Sequence, residues 1–161
     1  MTKRLNMKRL KKLLSLVLLS SLASVAAVAS GGAAEKTPQS VQVTIRTILA
    51  GNKSDEFDPK LKDMEAQLKP LKYRSYRSLK DDGQSVPWQG TRSFEIPGGR
   101  SLTVAPQEFQ NNRIALKVRL TEGEKPVLDT TVRITNKGNF ILGGPPHEGG
   151  TLVLSISAAA Q

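Results

Sequence analysis

The chain has 161 residues with 24 Lys and Arg against 14 Asp and Glu, so its formal net charge is +10. It contains no cysteine and one histidine. This excludes disulfides and argues against a zinc site, because zinc usually takes several Cys or His ligands. The sequence therefore predicts no cofactor, no metal ligand and no catalytic residue.

Residues 1–29 have the three parts of a cleavable signal peptide. Six Lys and Arg and no acidic residue lie among the first twelve positions, an apolar stretch covers residues 13–29, and small residues follow. This order is typical of an export signal. Ala27-Val28-Ala29 predicts cleavage before Ser30, and export to the periplasm, the outer membrane or the medium. The alternative, a permanent anchor, needs roughly 20 apolar residues, and this stretch is shorter and contains four serines.

Cleavage after Ala29 changes the charge of the working protein. It removes six of the 24 basic residues and none of the 14 acidic ones, so the net charge falls from +10 to +4. The precursor's charge is therefore poor support for nucleic-acid binding, and we expect no nucleic-acid partner. About 130 residues remain, which is enough for one domain with a core.

The first elements follow a small, polar segment, residues 30–40, which predicts a flexible leader. Apolar and polar residues then alternate over 41–46, which predicts a half-buried strand. Asp58 followed by Pro59 predicts the start of a short helix over 59–69, with Asp as N-cap. A helix of this length is marginal alone, so we expect it to lie on a sheet. Its apolar face consists of Leu61, Met64, Leu68 and Leu71.

From residue 73 onward the pattern predicts strands alone. Asp81-Asp82-Gly83 predicts a turn after a strand over 73–79, residues 136–139 a short hairpin, and the Gly- and Pro-rich stretch 143–150 a loop. Residues 158–161 predict a frayed end. We expect a mainly β (α+β) domain over 41–157, an antiparallel sandwich or small barrel of seven or eight strands. Its other strands are predicted at 93–96, 102–104, 114–120, 127–134, 140–142 and 152–156.

The most basic segment spans residues 60–80 and has two tyrosines among its cations. One interpretation is a binding surface for an anionic lipid, an anionic glycan or an acidic protein. The other is the solvated side of a helix followed by an edge strand that its charges protect. The candidate binding residues are Lys69, Lys72, Tyr73, Arg74, Tyr76, Arg77 and Lys80.

Catalytic groups are few in this sequence. His147 lies between glycines and prolines, which predicts an exposed loop histidine and not the oriented base of a triad. Asp55, Glu56 and Asp58 precede the helix, where turn formation and capping account for them. The alternatives for these acids are a calcium site at residues 52–58 and a carboxylate-dependent hydrolase.

Residues 98–156 resemble the C-terminal β-domain of the secretins, the outer-membrane channels of bacterial secretion and pilus systems. The resemblance lies in three sequence segments that occur in the same order: GGRSLTVAP at 98–106, RIALKV at 113–118 and ILGG at 141–144. It implies a small envelope protein built from similar hairpins, or an accessory of such a system. It assigns no functional residue.

These observations together predict a non-enzymatic module of the bacterial envelope. Its expected partner is an envelope protein or complex, and pairing at a strand edge is a natural binding mode for such a fold. The first alternative is a protein that binds polyanions through residues 69–80. The second is the carboxylate-dependent hydrolase.

Overall fold

The computed structural model describes residues 35–161. The predicted signal peptide and residues 30–34 of the predicted leader lie outside the described residues. Within residues 35–161, no helix has the length and apolar character that a membrane span requires. Eight strands form there: β1 (Ser40–Gly51), β2 (Ser75–Pro87), β3 (Arg92–Ile96), β4 (Arg100–Gln110), β5 (Arg113–Glu122), β6 (Lys125–Thr135), β7 (Gly138–His147) and β8 (Gly150–Ala160).

The strands form two antiparallel four-stranded sheets. Sheet A has the order β2-β1-β8-β7, and sheet B has the order β3-β4-β5-β6. The prediction of a mainly β fold with seven or eight strands is confirmed, and the architecture is the sandwich, since the two sheets do not close into a barrel. Sheet B is a meander of consecutive strands, whereas sheet A joins the first two strands of the domain to the last two.

One core fills the space between the sheets. The alternation predicted in β5 is confirmed, since Ile114, Leu116, Val118 and Leu120 are all buried in this core. Inward-facing residues of the other strands meet them from both sheets, and Phe94 of β3 is the largest fully buried side chain among them. Burial of these inward-facing side chains is the main stabilising contribution, because this core contains most of the buried apolar residues among residues 35–161.

A second, smaller core lies on the outer face of sheet A. Three consecutive turns cover it: a 3₁₀ turn Pro59–Met64, an α turn Glu65–Leu68 and a 3₁₀ turn Lys69–Leu71, here called the helical segment. Asp58 caps it and Pro59 opens it, as predicted. The α turn ends at Leu68, because Pro70 lacks the N–H that its continuation would use. The buried residues of this core are Ile48, Ala50, Leu61, Met64, Leu68, Tyr76 and Val153.

The predicted turn at Asp81-Asp82-Gly83 is wrong, because β2 runs straight through it to Pro87. The three residues lie opposite Arg46, Ile45 and Thr44 of β1. The Arg46 guanidinium lies 3.5 Å from the Asp81 carboxylate. Cross-strand pairing with β1 therefore overrides a local sequence that favours a turn.

The Asn136-Lys137 connection is a turn but not the predicted hairpin. It joins β6 of sheet B to β7 of sheet A, so the two strands it connects belong to different sheets. Lys137 adopts a left-handed φ of 65°. Its N–H donates to the Ala158 carbonyl oxygen, and the Asn136 N–H donates to the Asn112 carbonyl oxygen. These two bonds hold the turn between the sheets.

Two strands extend beyond their predicted ends, 102–104 and 140–142, and continue through prolines. β4 extends to Gln110, past Pro106, with a register shift at residues 106–108. β3 pairs with residues 100–104 of β4 alone. Pro106 therefore has β5 as its one neighbouring strand, and its missing N–H leaves no carbonyl of β3 without a donor. β7 extends through Pro145 and Pro146 to His147, and this is tolerated because β7 is an edge strand.

Within residues 35–161, the C-terminal residues pair with the start of β1. The expectation that residues 158–161 fray is wrong, since β8 pairs with β1 up to Ala160 opposite Val41, and the Gln161 N–H donates to the Ser40 carbonyl oxygen. In the predicted leader, the Glu35 carboxylate accepts a hydrogen bond from the Asn112 N–H at 3.0 Å.

Replacing a central core residue tests this architecture. Leu116 is fully buried in β5, so Leu116→Ala should lower the free energy of unfolding by about 2–5 kcal/mol in urea titration. Val127 on β6 is 42% exposed, and Val127→Ala should change it by less than about 0.5 kcal/mol. Equal effects of the two substitutions would contradict the assignment of the core between the sheets.

Candidate functional site

The two tyrosines of the basic segment belong to the small core. Tyr76 is 4% exposed, and its hydroxyl donates to the Leu68 carbonyl oxygen at 2.7 Å while accepting from the Tyr73 N–H at 3.2 Å. The rings of Tyr73 and Phe57 each meet Tyr76 edge to face. Tyr76 therefore fixes the helical segment to β2, and its ring face is not presented to a ligand.

The cations of the basic segment are mostly paired with carboxylates. Lys69 lies 3.0 Å from Glu65, and Arg77 lies 3.8 Å from Glu148. The Arg74 guanidinium donates two hydrogen bonds to Asp55, at 2.8 and 2.6 Å, which raises the pKa of Arg74 and lowers that of Asp55. These pairs are exposed, so they contribute little to stability and neutralise much of the local charge.

The structure does not gather the seven candidate residues into one surface. Lys80 reaches the edge of sheet B, where its Nζ donates to the Glu95 carbonyl oxygen at 3.3 Å. Lys69 lies on the helical segment, which covers the outer face of sheet A, away from sheet B. Lys72 is exposed in a left-handed conformation, with φ of 62°. Polyanion binding by residues 69–80 stays a prediction, and it would rest on Lys72, Arg74 and Arg77.

A cleft of about 550 Å³ opens beside this segment, between the loop before the helical segment and the β7–β8 turn. Its apolar side includes Leu49 and Phe57, and charges of both signs surround it. The turn packs tightly, since a Cβ on Gly150 would meet the Ala50 carbonyl oxygen at 2.5 Å. The cleft has no charge preference that would select an anion, because its charged lining residues are Lys53, Glu56, Asp58, Arg77 and Glu148.

Asp58, in this cleft, joins two elements. Its carboxylate accepts from the Lys60 N–H at 3.0 Å and from the Ser78 N–H at 3.1 Å. The Lys60 bond, followed by the Ser78 bond, holds the pKa of Asp58 below its usual range. Asp58 is therefore a cap and a clamp between the helical segment and β2. A general acid needs the opposite shift.

The acidic residues considered as metal ligands or as catalytic carboxylates also make structural contacts. Within residues 35–161, no group of three or more His, Cys, Asp and Glu side chains converges as metal ligands would. The carboxylate-hydrolase alternative stays a prediction to which Asp55 and Asp58 give no support, since an arginine engages one and two backbone N–H groups engage the other.

His147 is not the exposed loop residue that the sequence predicts. It ends β7, and its side chain is 15% exposed. Its Nδ1 lies 3.4 Å from the guanidinium of Arg100. Arg100 also donates to the Pro97 and Pro146 carbonyl oxygens and to the Glu122 carboxylate. The pair of side chains thus connects the β3–β4 turn, the end of β7 and the end of β5.

One side of the sandwich is closed where β2 and β3 are the edge strands. Gln84 Nε2 donates to the Ser93 carbonyl oxygen at 3.1 Å, and Lys80 does the same at Glu95. Residues 56–58 pair with the start of β2. The Tyr76 N–H donates to the Glu56 carbonyl oxygen, and the Asp58 N–H donates to the Tyr76 carbonyl oxygen. Side chains and a chain segment therefore engage these two edges.

The opposite side, where β6 and β7 are the edge strands, is open. Each has one hydrogen-bonded neighbour among the strands of residues 35–161, β5 for β6 and β8 for β7. Two prolines in β7 lack the backbone N–H that would donate to an added strand, whereas every residue of β6 after Pro126 has one. Phe140 of β7 lies opposite core residue Ile156, yet it is 37% exposed. The β6 edge is therefore the best-formed candidate binding site.

No family model, curated protein or solved structure matches this chain. The assignment of a site therefore depends on geometry. Sequence reasoning named pairing at a strand edge as the binding mode but chose residues 69–80 as the surface. Residues 127–134 are predicted as a strand, and their Val and Thr content is typical of strands. Their edge position was missed because it depends on the order of strands in the sheet.

The clamp formed by Asp58 predicts a pH-dependent contribution to stability. A carboxyl whose pKa is lower in the folded than in the unfolded chain stabilises the fold fully above its unfolded value of about 4, and this contribution disappears as the pH falls through the folded pKa. Asp58→Ala should lower the melting temperature by a few degrees at pH 7, and the difference from wild type should shrink below about pH 4.

Thermal melts followed by circular dichroism at pH 7, 5 and 3 measure this difference. Glu124→Ala, on the exposed β5–β6 turn, is the matched control and should change the melting temperature little at any pH. A gap between Asp58→Ala and wild type that stays constant across these pH values would contradict the role of the ionised carboxylate.

Proposed function

We propose that this protein is a non-enzymatic module of the bacterial envelope that binds another polypeptide along the β6 edge. The observation that carries the proposal is the contrast between the two sides of the sandwich. The β2–β3 side is engaged by its own side chains and by residues 56–58, while β6 has β5 as its one hydrogen-bonded neighbour in the part of the chain that the structure describes. Unpaired N–H and C=O groups of an edge strand are a template for strand addition.

The chemistry of β6 supports this mode of binding. Asp129, Thr131 and Arg133 are on its outer face, where they are exposed, and Val132 and Ile134 are buried in the core. An added strand would continue both faces of sheet B, with backbone hydrogen bonds providing affinity and the exposed side chains providing specificity.

Export to the envelope is the second component of the proposal. The basic start, the apolar stretch and the small residues up to Ala29 support it. β1 begins at Ser40, so cleavage before Ser30 leaves every strand intact. The resemblance of residues 98–156 to the secretin β-domain supports a role as accessory to a secretion or surface-assembly system.

Expression in a bacterial host tests the export component. We expect the intact mass and the N-terminal sequence of the protein from the envelope fraction to correspond to a chain that starts at Ser30. Ala27→Asp with Ala29→Asp should block processing, because the cleavage site requires small residues. Full-length protein retained in the host interior, with no processed form, would contradict export.

Capture from envelope extract tests the β6 edge. Thr131→Lys places a charge in the middle of the free edge, as natural edge strands do to prevent pairing, and should reduce capture of a partner at least tenfold. Ser85→Lys is the matched control, since Ser85 is exposed on β2, and it should capture as wild type does. Circular dichroism melts confirm that both variants fold.

A high-salt wash of the captured partner distinguishes strand pairing at β6 from polyanion binding. A strand added through backbone hydrogen bonds should survive a high-salt wash, whereas charged lipid or glycan on exposed cations should be released. Capture that is insensitive to Thr131→Lys, lost in high salt and lost in Arg74→Ala with Arg77→Ala would refute the β6 proposal and favour the basic segment.

A further inference from the structure

We infer that the chain that pairs with β6 is β6 of a second copy, in an antiparallel arrangement with Thr131 opposite Thr131. This inference rests on the proposed function, because it names the partner of the same edge. The product is a two-fold symmetric dimer with one continuous eight-stranded sheet, β3-β4-β5-β6 followed by β6-β5-β4-β3 of the second copy.

The geometry of β6 limits where such pairing can be centred. A register shift opposite Leu120 and Thr121 displaces Val127 from the regular ladder, and the turn at Asn136 ends the strand. The straight part is therefore residues 128–135. A two-fold axis perpendicular to the sheet keeps each side chain on its own face, so the centre must be one residue opposite itself. Thr130, Thr131 and Val132 are the central choices.

Charge complementarity selects one of these centres. Centring on Thr131 places Asp129 opposite Arg133 of the second copy, and the symmetry makes this contact twice. Centring on Thr130 places Asp129 opposite Thr131, and centring on Val132 places Arg133 opposite Thr131, so neither forms an ion pair. Directly opposite residues have Cβ atoms about 4.5–5.5 Å apart, within the reach of opposite charges, and Thr–Thr pairs also stabilise antiparallel strands.

The groups that make these contacts are available in one copy. Arg133 is largely exposed, and its own carboxylate partner, Glu108, is distant at 3.7 Å. Asp129 contacts Lys117 and Arg119 of β5, which lower its pKa. It is therefore ionised at neutral pH, its side chain is 34% exposed, and the Arg133 guanidinium of the second copy would join these two cations around one carboxylate.

The inner face of β6 is equally compatible with this register. Leu128 comes opposite Ile134, and Thr130 opposite Val132, so apolar side chains meet at both ends of the pair. The exposed ring of Phe140 lies on the same open side. Apolar contact therefore accompanies the ion pairs.

Cysteine cross-linking tests the register directly, because the chain has no cysteine of its own. Opposite residues of an antiparallel pair have Cα atoms about 4.5–5.5 Å apart, which suits a disulfide. Thr131→Cys should give a disulfide dimer on mild oxidation. Val127→Cys is the matched control, since two copies of residue 127 would be roughly 25 Å apart at 3.3 Å per residue, and it should remain largely monomeric.

A charge exchange tests the ion pairs. Asp129→Arg and Arg133→Asp should each weaken the dimer at least tenfold in analytical ultracentrifugation, because like charges come opposite each other. A mixture of the two variants should form a heterodimer, since both contacts then join opposite charges. Circular dichroism melts verify that each variant folds, and the Thr131→Cys experiment keeps the test decisive if one does not.

The outcomes distinguish this inference from the proposed function. A wild-type dimer, preferential cross-linking at residue 131 and rescue in the mixture support the inference. Wild-type protein that sediments as a monomer at every concentration, with no more cross-linking at residue 131 than at 127, overturns it. Capture of a different envelope protein that Thr131→Lys abolishes would then leave the β6 function standing with another partner.

Discussion

The pairing of the first strand with the last is the interaction on which the rest of the structure depends. β1 and β8 pair over ten residues, from Val41 opposite Ala160 to Ala50 opposite Thr151. This contact forms the middle of sheet A, so the β1–β2 pair and the β7–β8 pair become one sheet only when β1 and β8 have met. The closure joins residues far apart in the chain, and such contacts make folding slow.

The same closure determines which surfaces are covered. Ile48 and Ala50 of β1 and Val153 of β8 together provide the apolar platform for the helical segment, so the small core exists because the two ends of the domain are adjacent. Tyr76 and Asp58 then fix that segment to β2. Tyr76 of the basic segment is buried in this small core, and Tyr73 packs against it, which explains why the ring face of Tyr76 is not presented to a ligand.

The asymmetry between the two sides of the sandwich follows from the connections. The β2–β3 turn keeps these strands close enough for Lys80 and Gln84 to reach the carbonyl groups of β3. On the other side, the two-residue connection at Asn136 moves the chain from sheet B to sheet A, and each of these two edge strands has one hydrogen-bonded neighbour within residues 35–161. An exposed edge of Val and Thr residues is an aggregation hazard unless it is paired, and the proposed pairing with a second copy would protect it.

The sequence by itself determined the mainly β class, the apolar faces of strands such as β5, and the start of the helical segment at Asp58-Pro59. It also predicts the export signal. These features depend on local periodicity and capping, which a single segment encodes. The tertiary structure decided which strands are neighbours. It kept Asp81 inside a strand because β1 pairs there, made the Asn136-Lys137 turn a crossing between sheets, and left β6 at an edge. A turn signal specifies a change of chain direction, whereas the neighbour of each strand depends on contacts between residues distant in sequence.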